Sequence, residues 1–273
     1  MPIKKMVLKP TKGLASLKLA ELWKYRELFY FLAWRDIIVR YKQTALGIAW
    51  AVINPLLQMV IWTFIFGKVA KLPSAGLPYA LITLSGTLFW TYFSEIVNGA
   101  GNGMITNSNL ISKIYFPRLI IPLSVVLRAL LDFGIALLIF IPVMFYYKIC
   151  PSLAVFALPV FVLLVTIIAV GVGLWAAAIS VKYRDVAKIL PYFIQLGFFV
   201  TPVAFLNVAL PLNCQWIFNL NPLSGAISGF RWALLGTSFS WGDIGFSFLI
   251  SLIIFVSGLF YFKCLERSFA DLI

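Results

Sequence analysis

Residues Leu153 to Ser180 read LAVFALPVFVLLVTIIAVGVGLWAAAIS, and none of them is charged. A helix of about 20 mostly apolar residues is long enough to cross a hydrocarbon core about 30 Å thick. A membrane-spanning β-strand would need only about 10 residues of alternating polarity, whereas this stretch is continuously apolar. The stretch therefore predicts a membrane-spanning α-helix.

The whole chain has the composition of a protein with several such helices. Of its 273 residues, 62% are hydrophobic and 11% are charged, against about 45–50% and about 25% in an ordinary soluble domain. This charge content excludes a soluble globular enzyme. The 25 Phe, 11 Tyr and 9 Trp exclude a disordered chain, which is poor in aromatic residues. The composition predicts an all-α polytopic membrane protein.

Six apolar stretches have the length of a membrane span. We predict spans at about residues 46–66, 79–97, 119–146, 153–180, 189–206 and 244–262. Prolines interrupt the uncharged stretch that contains the fifth span, and this stretch is too long for one span. We therefore predict a re-entrant or surface-lying segment at about residues 211–235. Residues 1–45 form a cytoplasmic arm, and residues 46–273 form the transmembrane domain.

The distribution of charge predicts the orientation of the chain. Its 22 Lys and Arg exceed its 9 Asp and Glu, which gives a net charge of +13. In a soluble protein this excess would suggest nucleic acid, but here the basic residues lie mainly between the apolar stretches and at the chain ends. Most of them fall on the side of the two termini, so we predict that both termini are cytoplasmic. Anionic membrane lipid, and not nucleic acid, is the expected partner.

The chain lacks the residue types that most enzymes and metal sites use. It contains no His, which is the commonest general base and metal ligand. Its three cysteines, Cys150, Cys214 and Cys264, are far apart and do not have metal-site spacing. No Gly-x-x-x-x-Gly-Lys-Ser/Thr motif is present, so the chain has no P-loop for ATP hydrolysis. We predict no catalytic residue, no metal site and no cofactor on this chain.

The cytoplasmic arm ends in a segment that mixes aromatic and basic residues. Between residues 19 and 43, aromatic side chains are interspersed with Lys and Arg, including Arg35 and Arg40. An aromatic and basic helix of this kind lies in the plane of the lipid headgroups. It either serves only as an anchor that sets topology, or it acts as a lever joined directly to the first span.

The loop after the second span, residues 99–118, contains a further helical pattern. It opens with Gly-Ala-Gly-Asn-Gly, which is a weak signal for phosphate binding because no strand precedes it. We predict a helix at about residues 109–118, which either packs on its own bundle or binds a partner protein. Its apolar residues have the spacing of one helical face: Leu110, Ile111, Ile114 and Tyr115.

Two ionisable residues, Arg128 and Asp132, lie deep inside the third span. Arg128 is about 14 Å from the start of the span at 1.5 Å per residue, and Asp132 follows one turn later. A lone charge at this depth costs roughly 2.5–3.5 kcal/mol, and an ion pair at this spacing offsets part of the cost. The pair either belongs to a transport path or gate, or stabilises helix packing as a structural ion pair.

The proline-interrupted segment predicts a short helix near the outer face. Asn221 and Pro222 have the pattern of a helix start, and the helix would carry Arg231. Irregular backbone at membrane depth is stable only inside protein or beside water. We therefore interpret this segment, with Pro211, as either an outer gate or a surface loop.

Most of the Trp and Tyr residues are expected at the two membrane interfaces. A minority could stack on sugar rings in a pore, and the candidates are Trp50, Trp62, Phe89, Trp90 and Phe93. Two glycines in the fourth span, Gly171 and Gly173, are expected to allow close helix packing.

Several short motifs, in their order along the chain, resemble those of a known family. The first is WRDIIVRYKQTALGIAW at residues 34–50, followed by Asn54-Pro55. The others are KIYFPR at residues 113–118, PLS at 122–124, YRD at 183–185, Thr201-Pro202, and Asn221-Pro222 with Arg231. From about residue 20 to the C-terminus, this set resembles the membrane subunit of bacterial type 2 ABC exporters for surface polysaccharides.

The resemblance implies an architecture and a set of partners. Such a permease works in the bacterial inner membrane as a homodimer with two copies of a separate ATPase subunit, which holds ATP and Mg. The ATPase cycle opens a path along the dimer interface for a polysaccharide, usually attached to a polyprenyl pyrophosphate lipid. Two short helices after the fifth span are expected at the outer mouth.

By the same resemblance, the N-terminal helix and the helix between the second and third spans contact the ATPase. Movement of these two helices would transmit the ATPase cycle to the spans. The residues at these positions are Arg35, Arg40, Leu110, Ile111, Lys113, Ile114, Tyr115, Phe116 and Arg118.

Two other classes of protein stay open. An ion-coupled secondary transporter usually has inverted repeats and acids near the membrane midplane, and here only Asp132 could serve. A membrane-embedded glycan- or lipid-modifying enzyme would need a base or nucleophile near a membrane face. Only Glu95, Asp185 and Asp243 are available for that role.

Overall fold

The computed structural model describes residues 19–42, 48–206, 218, 220–238, 240–266 and 269. Within these residues every regular element is a helix. The helices are α1 (Leu19–Lys24), α2 (Arg26–Lys42), α3 (Ile48–Trp62), α4 (Tyr79–Thr106), α5 (Ser108–Lys113), α6 (Ile120–Tyr146), α7 (Leu158–Lys182), α8 (Arg184–Val200), α9 (Pro222–Leu235) and α10 (Trp241–Leu265). A π-helical turn (Thr63–Val69) extends α3, and a 3-10 turn (Leu153–Ala157) precedes α7.

Five of the described helices are long and apolar enough to cross a membrane. They are Ala49–Val69, Tyr79–Thr106, Ile120–Tyr146, Leu153–Lys182 and Trp241–Leu265. These helices coincide with the predicted first, second, third, fourth and sixth spans. The prediction of an all-α chain with several membrane-spanning helices is therefore confirmed for this part of the chain.

The predicted fifth span corresponds to α8, which is shorter than the other five. α8 has 17 residues, about 26 Å at 1.5 Å per residue, and its first turn carries the charged Arg184 and Asp185. It ends at Val200, and residues 201–206, which we predicted as helical, are irregular. Pro202 contributes to this ending because proline has no backbone N–H for the helix. By length and composition, five of the described helices are candidate spans, and α8 is not among them.

The second span continues further than the sequence predicts. α4 runs to Thr106, so the Gly-Ala-Gly-Asn-Gly stretch is helical and does not open a loop as predicted. The glycines let neighbouring helices approach closely. A Cβ on Gly99 would lie 2.4 Å from Cγ1 of Val125 on α6, and a Cβ on Gly101 would lie 2.5 Å from Cδ2 of Leu190 on α8.

α4 lies at the centre of the bundle, where it packs against α6 and α7, and α7 packs in turn against α10. The predicted close packing at the two glycines of α7 is confirmed. A Cβ on Gly171 would lie 2.8 Å from backbone atoms of Phe255 on α10, and a Cβ on Gly173 would lie 2.9 Å from Cβ of Ala100 on α4. On α10, a Cβ on Gly258 would lie 2.3 Å from the carbonyl oxygen of Gly171. These contacts hold α7 between its two neighbours.

The predicted helix at residues 109–118 is shorter in the structure. α5 ends at Lys113, and Ile114 has an extended backbone with φ −132° and ψ 135°. Pro117 explains the early end, because it has no N–H for a helical bond and disfavours helical backbone at the residue before it. The four apolar residues assigned to one helical face therefore do not share one, because Ile114 and Tyr115 lie beyond the helix.

Candidate functional site

A cavity of about 730 Å³ lies between α2, α3, α4 and α6. Its wall follows α4 from Thr87 to Thr106, roughly 28 Å of helix at 1.5 Å per residue. Trp50 and Asn54 line it from α3, and Arg128 lines it from α6. Ligand sites in proteins are commonly concave and about 300–1,000 Å³ in volume. The cavity is therefore the candidate functional site of this bundle.

Five side chains from three helices form an ionic cluster on the cavity wall: Arg40 and Tyr41 of α2, Glu95 of α4, and Arg128 and Asp132 of α6. Arg40 donates two hydrogen bonds to the two carboxylate oxygens of Glu95, at 2.8 and 3.0 Å. Arg128 Nη2 donates to Glu95 Oε2 at 3.0 Å. Arg40 also lies 3.3 Å from Asp132 Oδ2, and the Tyr41 hydroxyl donates to Asp132 Oδ1.

The ionic cluster replaces the predicted direct pair between Arg128 and Asp132. Among the described residues, Arg128 forms its ion pair with Glu95, and Asp132 forms its ion pair with Arg40. The predicted second span, residues 79–97, includes Glu95, but the sequence did not identify Glu95 as a partner of Arg128. Because each charge has an opposite charge nearby, the cost of burying the four charged groups is partly offset.

The side chains around Arg40 and Tyr41 set the protonation states of these two α2 residues. Burial by itself lowers the pKa of the Arg40 guanidinium, but hydrogen bonds to Glu95 and the charges of Glu95 and Asp132 outweigh it, and the pKa is raised above its usual value. Burial first, and then the hydrogen bond to Asp132, raise the pKa of Tyr41. Arg40 therefore stays charged and Tyr41 stays a hydrogen-bond donor across the physiological pH range.

The two arginines predicted to contact the ATPase both lie at the cavity. Arg40 points inward to the ionic cluster, so its side chain is engaged within the protomer. Arg35 donates to its neighbour Asp36 at 2.8 Å and stays partly exposed. Both side chains stay partly exposed, 39% for Arg35 and 35% for Arg40, so the exposure of the side chains does not separate the two as contacts outside the bundle.

The segment between α4 and α6 divides the predicted ATPase contacts into two groups. Ile111 and Phe116 are buried, and Leu110 packs against the same core. Lys113 is exposed, Ile114 is 54% exposed and Tyr115 is 66% exposed. We call Lys113, Ile114 and Tyr115 the exposed turn.

Arg118, predicted as an ATPase contact, instead joins this segment to the end of α10. Its backbone N–H donates to Glu266 Oε1 at 3.3 Å, and its guanidinium donates to the Glu266 carbonyl oxygen. The guanidinium also lies 5.8 Å from the ring centre of Phe269. Lys263 forms an ion pair with Glu266 at 2.6 Å. The half-buried Arg118 therefore fixes the segment to the end of α10.

The aromatic residues predicted to stack on sugars fall into two groups. Phe89, Trp90 and Phe93 are buried within the protomer, which differs from the predicted role because their ring faces are covered. Trp62 is half-buried and stacks on Phe198 of α8 with ring centres 4.7 Å apart. Trp50 is half-exposed and lines the cavity. Trp50 is therefore the candidate that keeps access to the cavity.

At the end of the bundle where α4 begins, Arg231 is 2% exposed and organises the irregular residues after α8. Its five N–H groups donate to five oxygens. The acceptors are Ser85 Oγ at 3.0 Å and the carbonyls of Pro202 (3.0 Å), Phe205 (2.8 Å), Ile82 (2.9 Å) and Val203 (2.6 Å). Sequence reasoning selected Arg231 but not this role, because its partners lie in distant elements.

The other residues of the predicted outer gate lie beside Arg231. Asn221 caps the start of α9, where the sequence predicts a helix start: its side chain accepts from the Leu223 N–H at 3.1 Å and donates to Thr201 at 2.7 Å. Pro222 is the first residue of α9. Pro211 lies outside the described residues. A Cβ on Gly86 would lie 1.8 Å from the Val203 carbonyl oxygen, so only glycine fits there.

The described residues contain no group of three or more His, Cys, Asp or Glu that could hold a metal ion. Cys150 and Cys264 are free and exposed, and Cys214 lies outside the described residues.

The fold and the cavity define a helical, polytopic membrane protein with a polar site inside its bundle. Comparison with protein families makes the class specific: the model of the ABC-2 type transporter family matches residues 27–235. This match covers more than half of the chain, so the chain belongs to that family.

Relatives of known name cover most of the chain. It is 29% identical over 248 residues to the O-antigen export system permease protein RfbA of Klebsiella pneumoniae, covering 90% of this chain and 95% of the relative. It is 31% identical over 185 residues to RfbA of Myxococcus xanthus, covering 68% and 70%. It is 24% identical over 244 residues to the polysialic acid transport protein KpsM of Escherichia coli, covering 86% and 92%.

Proposed function

We propose that this chain is the permease subunit of an ATP-driven exporter that moves a lipid-linked polysaccharide from the cytoplasm across the bacterial inner membrane. The match to O-antigen export permeases over nearly their whole length carries the proposal. The helical bundle with its polar cavity is compatible with that role. ATP hydrolysis takes place on a separate ATPase chain, which also holds Mg.

The working unit is a homodimer in which α3 and α8 face the second copy. No residue of the α3 span is buried within the protomer, and Phe64 is 57% exposed. On α8, Tyr192 and Phe193 are 69% and 68% exposed. The stacking of Trp62 on Phe198 joins the two helices into one apolar surface. Large exposed apolar surfaces mark protein–protein or lipid contacts, and the transport path would run along this one.

α8 serves as the sixth span in this arrangement, with its short length extended by the irregular residues 201–206. Both chain termini then lie on the cytoplasmic side, together with α2 and the exposed turn. α9 lies at the outer mouth as a re-entrant helix. Its buried residues and the hydrogen bonds of Arg231 support a position inside protein, where irregular backbone is stable at membrane depth.

The ATPase binds the exposed turn and α2, and the ionic cluster passes the movement of α2 to the spans. Arg40 joins α2 to α4, and Asp132 joins α2 to α6. α2 also packs along α6. A displacement of α2 therefore moves α4 and α6 or breaks charge-assisted hydrogen bonds, which are the stronger kind.

The same contacts count against an ion-coupled transporter that uses Asp132. A coupling acid must exchange its ion with water during the cycle. Here Asp132 is held by Arg40 and by the Tyr41 hydroxyl.

Co-purification from native membranes in mild detergent tests the proposal. We expect an ATPase chain in about equal amount to the tagged permease, as identified by mass spectrometry. Tyr115→Ala should reduce the recovered ATPase severalfold, because it removes the aromatic ring of the exposed turn, which is 66% exposed. Tyr146→Ala is the matched control, because Tyr146 is 80% exposed at the opposite end of the bundle. Recovery of the permease alone, under conditions that preserve known ABC complexes, would overturn the proposal.

A further inference from the structure

The cavity between α2, α3, α4 and α6 carries no net formal charge. Among the described residues, its lining contains three arginines and three carboxylates: Arg35, Arg40, Arg128, Asp36, Glu95 and Asp132. Each arginine lies in an ion pair with at least one of these carboxylates. An anionic ligand would therefore have to compete with carboxylates already bound to the arginines. The charge balance favours a neutral ligand.

The rest of the lining is rich in neutral hydrogen-bonding groups. The amides of Asn54, Gln58 and Asn102 line the cavity from α3 and α4. The hydroxyls of Thr87 and Ser124 donate to carbonyls of their own helices, which leaves their oxygen lone pairs as acceptors. Gln58 donates to Asn54 at 3.3 Å, and Asn102 donates to the Asn98 carbonyl at 3.0 Å, so each side chain is partly satisfied. A purely hydrocarbon ligand would leave the remaining donors and acceptors of these groups without partners, which costs free energy.

Two buried polar atoms in the ionic cluster lack a hydrogen-bond partner in the part of the chain that the structure describes. They are Arg128 Nε, a donor, and Asp132 Oδ2, an acceptor. Asp132 Oδ2 lies 3.3 Å from Arg40 Nη1, but this ion pair does not have hydrogen-bond geometry. Arg128 and Asp132 are one helical turn apart and both line the cavity. A hydroxyl group can satisfy either kind of atom, because it both accepts and donates.

We propose that this cavity binds a neutral sugar unit of the exported polysaccharide within each protomer. The proposal rests on the proposed function and adds a specific subsite to it. Trp50 supplies an aromatic face beside the amides, and an apolar face with a polar edge is the chemistry that a sugar ring offers. The volume of about 730 Å³ is sufficient for more than one ring.

Protection of engineered cysteines tests the subsite. In a background with Cys150, Cys214 and Cys264 replaced by Ser, Asn102→Cys and Gln58→Cys place a thiol on the cavity wall. The permease with its ATPase is held in phosphatidylcholine nanodiscs. A small thiol reagent is added with or without neutral fragments of two to four sugars, cut by mild acid from the polysaccharide of the producing strain.

We expect the fragments to slow labelling at both cavity positions at least fivefold. Ser112→Cys is the control, because Ser112 is exposed on α5 and lies outside the cavity lining; its labelling rate should not change. Inorganic pyrophosphate at the same concentration should protect neither position. A second measurement needs no cavity variant: the wild-type complex should bind one radiolabelled fragment per permease chain.

Three results would overturn the subsite. The first is equal labelling with and without the fragments, together with no binding to the wild type. The second is protection by pyrophosphate alone, which would assign the cavity to an anion. The third is protection in nanodiscs that contain monoglucosyl diacylglycerol but no fragment, which would assign the sugar to a membrane lipid. If the ATPase still co-purifies and export continues, the proposed function stands while the subsite fails.

Discussion

Glu95 accepts hydrogen bonds from arginines of two other helices, and the ionic cluster depends on it. Its partner Arg128 is 33 positions away in sequence and Arg40 is 55 positions away. Sequence spacing could predict that Arg128 needs a carboxylate, because a lone charge in a span is costly. It could not predict which carboxylate, since this depends on how α4 and α6 pack.

A double-mutant cycle separates the two candidate partners of Arg128. We expect Arg128→Ala and Glu95→Ala to show a coupling free energy of about 1–3 kcal/mol, because the two side chains are in direct contact. Arg128→Ala with Asp132→Ala should couple more weakly, because the two residues share the ionic cluster but do not form an ion pair with each other. The free energy of unfolding of the detergent-solubilised permease is the measurement. A larger coupling with Asp132 would show that the pair within α6 dominates.

Arg231 is the second residue whose role depends on distant partners. Arg231→Lys leaves three donors where five are used, and each buried carbonyl left unpaired costs about 1–3 kcal/mol. We expect a loss of stability on the order of 2–4 kcal/mol, seen as a lower unfolding temperature. Arg184→Lys is the control, because Arg184 is exposed at the start of α8. Equal unfolding temperatures for the two variants would contradict this role for Arg231.

At the scale of helices, the apolar runs predicted the positions of five spans. Their ends were harder to predict, because the sequence rule places charges and glycines outside the membrane helix. α4 breaks that rule twice: Glu95 is paired inside the bundle, and the glycines that follow it are sites of close packing. For α5 the predicted end was too late. The apolar spacing continues to Tyr115, whereas the helix ends at Lys113, before Pro117.

The contact between α7 and α10 gives a test at this scale. Gly171→Ala would place a methyl group 2.8 Å from the Phe255 backbone, and we expect a loss on the order of 1–3 kcal/mol from overpacking. Gly134→Ala on α6 is the control, because a Cβ there meets nothing within 4 Å. Gly134→Ala should leave the stability of the permease unchanged or raise it by up to about 1 kcal/mol, since alanine has a higher helix propensity than glycine. Thermal unfolding in detergent compares the two, and a tolerant Gly171→Ala would contradict the close approach.

At the scale of the whole molecule, the protomer has one well-packed side and one open side. α4 and α7 are enclosed by their neighbours, whereas α3 has no buried residue in its span. Sequence analysis offered Phe89, Trp90 and Phe93 as candidates for stacking on sugars in a pore. Hydrophobicity alone cannot distinguish a residue that faces a pore from one that faces the core, and the structure buries these three.

Cross-linking tests whether the open side faces a second copy. In the cysteine-free background, Val60→Cys on α3 should form covalent dimers with a short bifunctional thiol reagent, because Val60 is 58% exposed on the proposed interface. Ile253→Cys on α10 is the control, with 59% exposure on a different face. Denaturing gel electrophoresis of native membranes gives the readout. Dimers through Ile253→Cys and none through Val60→Cys would place the interface elsewhere.

The ionic cluster has a consequence for the electrical work of transport. Arg40 and Arg128 are balanced by Glu95 and Asp132, so the set moves as a neutral unit. Carrying one elementary charge across 100 mV is worth about 2.3 kcal/mol, and a neutral unit avoids that work. While α2, α4 and α6 move together, the membrane voltage therefore neither drives nor opposes them. Only a separation of α2 from α4 would expose the charge of Arg40 to the field.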